Sequence, residues 1–149
     1  MTQWIAFPVL LAAVIGFAIA NLAFRARAMR ALASRRGFRF CGSNLPTNFH
    51  MRDSGGAGIK RAFNVIEGEQ DGLAVLVCDA VMGTGKGAYC TFVAAQTDNN
   101  PFGVIGKKEK LRQSKGWTAV SRMRFLQVPG QISIKRIEEL LDSMTPQKG

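Results

Sequence analysis

The side chains that could do chemistry are few and scattered. Gly83-Thr84-Gly85-Lys86-Gly87 has the ingredients of a phosphate loop, in which glycines let backbone amides approach an anion while a lysine neutralises it. That loop requires G-x-x-x-x-G-K-[ST] between a strand and a helix. Here Ala80 stands at the first glycine position, Gly87 follows Lys86, and a strand-like segment comes next. Glycines are also what a tight hairpin demands, so the run reads as a turn. His50 is the sole histidine, beside Met51 and Asp53 in an irregular stretch, with no histidine or cysteine at metal-ligand spacing. It reads as a solvated loop residue. Cys41, Cys78 and Cys90 form an odd set without paired spacing, expected to be reduced and packed as small apolar residues. A Cys–His nucleophile pair would need His50 to approach in space, and the apolar setting of Cys78 and Cys90 argues for inert packing. Asp79 interrupts an almost wholly apolar run. It is either a buried acid paired with Arg or Lys, or an acid facing solvent at a strand end. Glu67, Glu69 and Asp71 gather at a turn, where acids are common. No catalytic set emerges, and no catalytic, cofactor-binding or metal residue is assigned.

Charge is the stronger signal. The 149-residue chain carries a formal net charge of +10, and its first acid is Asp53. One basic cluster is Arg25, Arg27, Arg30, Arg35, Arg36 and Arg39; a second is Lys107, Lys108, Lys110, Arg112, Lys115, Arg122 and Arg124, against the single acid Glu109. Such clusters fit an anionic surface: lipid headgroups, nucleic acid or an acidic partner. Aromatic residues are not interleaved with the basic ones, and no nucleic-acid motif is present, which makes nucleic-acid binding the second reading behind lipid contact. The expected lipid contacts are Arg25, Arg27, Arg30, Arg35, Arg36, Arg39, Lys107, Lys108, Lys110 and Arg112.

The element that must position these groups is the run from Ile5 to Phe24, twenty residues without a charge. As a helix it reaches roughly 30 Å, the hydrocarbon thickness of a bilayer. Arginines follow it and no charged side chain precedes it, so the expected topology is a single-pass inner-membrane protein with its N-terminus outside and its C-terminal domain in the cytoplasm. The competing reading is a cleaved signal ending near Ala18-Ile19-Ala20. Against it stand the missing positive n-region, the length of the apolar run and the basic cluster beyond. The chain thus divides into an anchor over 1–24, a basic juxtamembrane helix over 25–37 ended by Gly37, and a cytoplasmic domain over 38–149.

That domain is predicted as α+β: a small antiparallel meander with a C-terminal amphipathic helix. Gly37 to Cys41 reads as a short first strand and 42–58 as loop. Ala62 to Gly68, the Val-rich Leu73 to Met82, and Ala88 to Gln96 read as three sequential strands. Centring the second hairpin on Thr84 would set Cys78 opposite Cys90. The stretch 106–116 reads as a basic connector, followed by two strands, Trp117 to Val120 and Met123 to Val128. Ser133 reads as an N-cap and Ile132 with Ile137 as a hydrophobic staple; Ile137, Leu140, Leu141 and Met144 form one apolar stripe.

The run Asn64-Val65-Ile66-Glu67-Gly68-Glu69-Gln70-Asp71-Gly72, then Asp79 and Gly83-Thr84-Gly85-Lys86, resembles a bacterial family built on a domain of unknown function. Gly116-Trp117-Thr118 and Ile134-Lys135-Arg136-Ile137-Glu138-Glu139 are similar to that family's last strand and helix. Ala80 and Met82 stand where its pattern has aromatics after the aspartate. The resemblance implies an N-terminal membrane helix before a small β-rich domain, and no activity or site residue. Taken together, the expected function is a membrane-anchored cytoplasmic domain that binds or scaffolds an unknown ligand while docked on anionic lipid. The alternatives are a membrane-tethered nucleic-acid binder and an enzyme using Asp79 or the cysteines.

Overall fold

The computed structural model describes residues 3–52, 56–83, 89–124 and 131–145. Its order is α1 (Gln3–Arg36), β1 (Arg39–Gly42), β2 (Ile59–Gln70), β3 (Leu73–Met82), β4 (Tyr89–Ala95), β5 (Lys110–Ser114), β6 (Trp117–Arg124) and α2 (Ile134–Asp142). The fold is α+β: a long apolar N-terminal helix, a six-stranded antiparallel sheet in the order β1-β2-β3-β4-β6-β5, and a short C-terminal helix.

Helix α1 has two characters. Its first half is long and apolar enough to cross a membrane, a test that a signal sequence also meets. From Phe7 to Phe24 its side chains are exposed, with Phe17 at 71% and Phe24 at 69%. From Arg25 onward it lies on the sheet, and Met29, Leu32 and Ala33 enter the core. Gly37 ends it in the left-handed conformation (φ 66°), where a glycine bears no Cβ penalty. The Gly37 N–H donates to Ser34 O and the Phe38 N–H to Ala33 O, so two terminal carbonyls are satisfied by the chain's own reversal.

Alternation along the strands makes two cores. On one face Ile66, Val75, Val77, Val93 and Val120 meet α1 and the Ile137, Leu140, Leu141 and Met144 stripe of α2. On the other, Leu76, Cys78, Ala80, Cys90, Phe92 and Trp117 are roofed by Phe49 and Met51 from the long β1–β2 connection. Phe49 meets both Phe92 and Trp117 edge to face. The α2 cap forms as expected: Ser133 accepts from the Arg136 N–H at 3.2 Å, and Ile132 and Ile137 are both buried.

Several expectations are corrected. Residues 110–114 are not connector but edge strand β5, paired with β6 through the two-residue turn Lys115-Gly116. Both turn residues have positive φ (49° and 79°), the same geometry as Asp71-Gly72 between β2 and β3. The strand escapes a hydropathy reading because, at a water-facing edge, every residue of it but the exposed Leu111 is polar. Trp117 to Arg124 is one continuous strand, since the polar Ser121 and Arg122 sit within the ladder to β4; the rest of the expected second strand, 125–128, lies outside the described residues. Cys78 pairs with Phe92 and Cys90 with Ala80, so the hairpin is centred one residue later than expected. The thiols still share a face but are offset by two residues along the ladder. The Gly-rich turn itself, 84–87, also lies outside the described residues.

Candidate functional site at the helix–sheet junction

The least ordinary carboxylate, Asp79, turns out to be fully buried where α1 first meets the sheet. Its Oδ2 accepts from Arg25 Nε and from Asn64 Nδ2, each at 3.0 Å. Its Oδ1 accepts from Arg25 Nη2 at 3.0 Å and from Thr91 Oγ1 at 2.7 Å. Thr91 Oγ1 in turn accepts the Ile132 N–H at 3.2 Å, just ahead of α2, and a second contact from Arg25 Nη2 at 3.3 Å. One carboxylate thus ties together α1, β2, β3, β4 and the approach to α2.

Local sequence explains each placement. Arg25 precedes Met29, Leu32 and Ala33 by four, seven and eight positions, which puts all four on one helix face. Asn64 sits in a bulge, where the β2–β3 register shifts between Phe63 and Ile66, with φ at 53°. Asparagine tolerates that conformation, and the bulge re-aims its amide at Asp79. Thr91 stands beside Asp79 on the neighbouring strand. The guanidinium fork matches the carboxylate in the bidentate geometry that makes such pairs strong.

Chemically the cluster is closed. Two oxygens accept four hydrogen bonds, which uses the lone pairs a general base would need. The buried-pair reading of Asp79 is therefore the one realised, with Arg25 as its partner. This removes Arg25, 9% exposed, from the surface set of expected lipid contacts. The other arginines of that set divide. Arg35 pairs with Glu138 at 2.8 Å and Arg36 with Asp142 at 2.7 Å, joining α1 to α2. Arg39 pairs with Glu67 at 2.6 Å, and the Arg30 guanidinium lies 5.0 Å from the Phe40 ring centre. Arg27, Lys107, Lys108 and Lys110 are exposed. Arg112 donates to Ser121 Oγ at 2.8 Å and to the Arg52 carbonyl at 2.9 Å.

An open cleft of about 870 Å³ lies between β1 and the following loop, lined by Arg39, Cys41, Asn44, Asn48 and Glu67. Its two charged groups neutralise each other. Burial pushes the Cys41 thiol up, Cys90 up to about 12, and Cys78 well above the ordinary range. All three are thiols rather than thiolates at neutral pH, which removes the nucleophile from a Cys–His pair. His50 is exposed.

Comparison with family models, curated proteins and solved structures gives no match. The likeness of the 64–72 run to a bacterial family gains no support there. Sequence reasoning missed Arg25 as a partner of Asp79. The available signal was the Met29, Leu32 and Ala33 stripe, which marks a buried helix face within the arginine collar.

Proposed function

We propose that this chain is a single-pass inner-membrane protein whose cytoplasmic α+β domain binds or scaffolds at the bilayer surface. The carrying observation is that one helix is exposed and apolar up to Phe24 and then, one residue later, is locked into the sheet through Arg25. An apolar stretch of this size has no favourable place in water, and lipid supplies one. The arginine excess after the span supports a cytoplasmic location for the domain. The closed chemistry of Asp79 and the protonated thiols favour a binding role over catalysis.

The test is topological. A chain fused at its C-terminus to a fluorescent protein that folds only in the cytoplasm should glow, and carbonate washing should leave it in the membrane fraction. A C-terminal tag open to protease in intact spheroplasts would overturn the orientation; release by carbonate would overturn the anchor. Crosslinking in cells would then identify what the domain holds.

A further inference from the structure

We infer that the end of the sheet beyond Asp79 is a headgroup-binding rim that lays the domain on an anionic bilayer; this rests on the membrane reading of α1. Direction along the sheet is the starting point. Helix α1 meets it at Asp79 and Thr91 through Arg25 and is followed by Phe38, whose ring covers Gly68. Gly68 lies opposite Val75, four residues before Asp79 on β3. The apolar half of α1, which precedes Arg25, therefore projects past Asp79 on the side away from Val75. On that side β3 ends at Met82, β4 begins at Tyr89, β2 begins at Ile59 and β6 ends at Arg124.

The register puts two rows of side chains on the helix-bearing face there. The first row is Phe63, Asp79, Thr91 and Arg122. The second, two residues further on, is Arg61, Val81 and Tyr89. In the first row Asp79 and Thr91 bond to Arg25 and to the chain leading into α2. In the second, Arg61 is exposed and Val81 and Tyr89 are half-buried, with the Tyr89 ring 5.1 Å from that of Phe63. Lys60, next to Arg61, is exposed as well. Lys60, Arg61 and Arg122 have no salt bridge among the described residues, and the one carboxylate in these rows already belongs to Arg25.

Height and chemistry then agree. The second row lies on the span side of Arg25 and Asp79, so it reaches the bilayer first; Arg25 and Asp79 then stand at the water-facing side of the headgroups, and Asn21 to Phe24 pass through that layer beside the row. Two strand residues advance roughly 7 Å, comparable to the headgroup layer on one side of a bilayer. A tyrosine, a phenylalanine and a valine flanked by arginines are the composition that layer selects: rings at headgroup depth, guanidinium heads on phosphates and stems along apolar surface. These residues differ from the arginine collar, much of which the fold uses internally.

The test uses the full chain in nanodiscs of phosphatidylcholine with or without phosphatidylglycerol, read by amide hydrogen exchange. Residues 59–63 are the reporter, because β1 covers β2 only from Val65 to Glu67 and the Arg52 bridge stops at Gly58, which leaves this stretch without a strand partner on its outer side. Exchange there should slow in anionic discs by roughly fivefold for each arginine engaged and recover with salt. The double variant Arg61→Gln, Arg122→Gln should lose that difference while α2 exchange stays unchanged. Equal protection in both lipids, or protection indifferent to the double variant, overturns the rim but leaves the anchor. Failure of the chain to enter either disc overturns both.

Discussion

Replacing Asp79 by Asn leaves the Arg25 guanidinium facing a neutral amide in a site from which water is excluded. Breaking one partner of a buried pair costs about 3–5 kcal/mol, because the remaining charge loses its compensation. Asp79→Asn and Arg25→Gln should each destabilise the domain by that order, with the double variant costing less than the sum, as measured by denaturant melts in detergent. Additive losses would mean the two side chains act independently. A second residue carries a pH signature. Glu109 accepts from Arg136 Nε and Nη2 and from the Gly106 N–H, all at 2.8 Å. The Arg136 hydrogen bonds are the main cause holding its carboxyl below the ordinary value. A carboxyl depressed on folding stabilises above its unfolded pKa, and that stability is lost as pH falls through the folded pKa. Glu109→Gln should therefore cost about 1–2 kcal/mol at pH 7, and the gap to the native chain should close as acid protonates Glu109. A gap unchanged in acid would assign the loss to packing.

At the scale of elements, the joint between α1 and the sheet is as much shape as charge. Phe38 follows the Gly37 reversal and lays its ring over Gly68 of β2, where a Cβ would fall inside the ring's envelope. Gly68→Ala should cost about 1–3 kcal/mol by overpacking and should be nearly silent in a Phe38→Ala background. A double-mutant cycle of melting curves decides this; equal cost in both backgrounds would point to the strand backbone instead. The pairs Arg35–Glu138 and Arg36–Asp142 hold α1 alongside α2 at its other end. They are more exposed than the Arg25 pair and contribute correspondingly less.

For the molecule as a whole, the helix that carries the span is also part of the core. A chain cut to residues 37–149 loses Met29, Leu32 and Ala33 from one face and leaves Asp79 buried without its cation. Such a fragment should be recovered unfolded or aggregated, whereas one starting a turn before Arg25 should give a cooperative melt and dispersed amide resonances. A well-folded 37–149 fragment would show that the helix merely rests on the sheet. The predicted consequence of the joint is a domain held at a set angle to the span, which is what a surface-docked rim requires.

Much of this architecture was legible in residue order, because the patterns concerned are local. Twenty uncharged residues before an arginine collar announce a helix of membrane length; the Leu73–Met82 strand, the Gly37 stop and the Ser133 cap each depend on neighbours within a turn or a few residues. Two strands were misjudged where local pattern carries little information. Edge strand β5 is polar at all but the exposed Leu111, and β6 runs through Ser121 and Arg122 because its ladder, not its hydropathy, continues it. The site needed tertiary structure outright. Arg25 and Asp79 are 54 residues apart, and in sequence Arg25 is indistinguishable from the five other arginines of its cluster. Only the packing of Met29, Leu32 and Ala33 on the sheet turns that one guanidinium inward. The two-residue spacing of strand registry then brings Arg61, Val81 and Tyr89, from three separate strands, into one row beside the span.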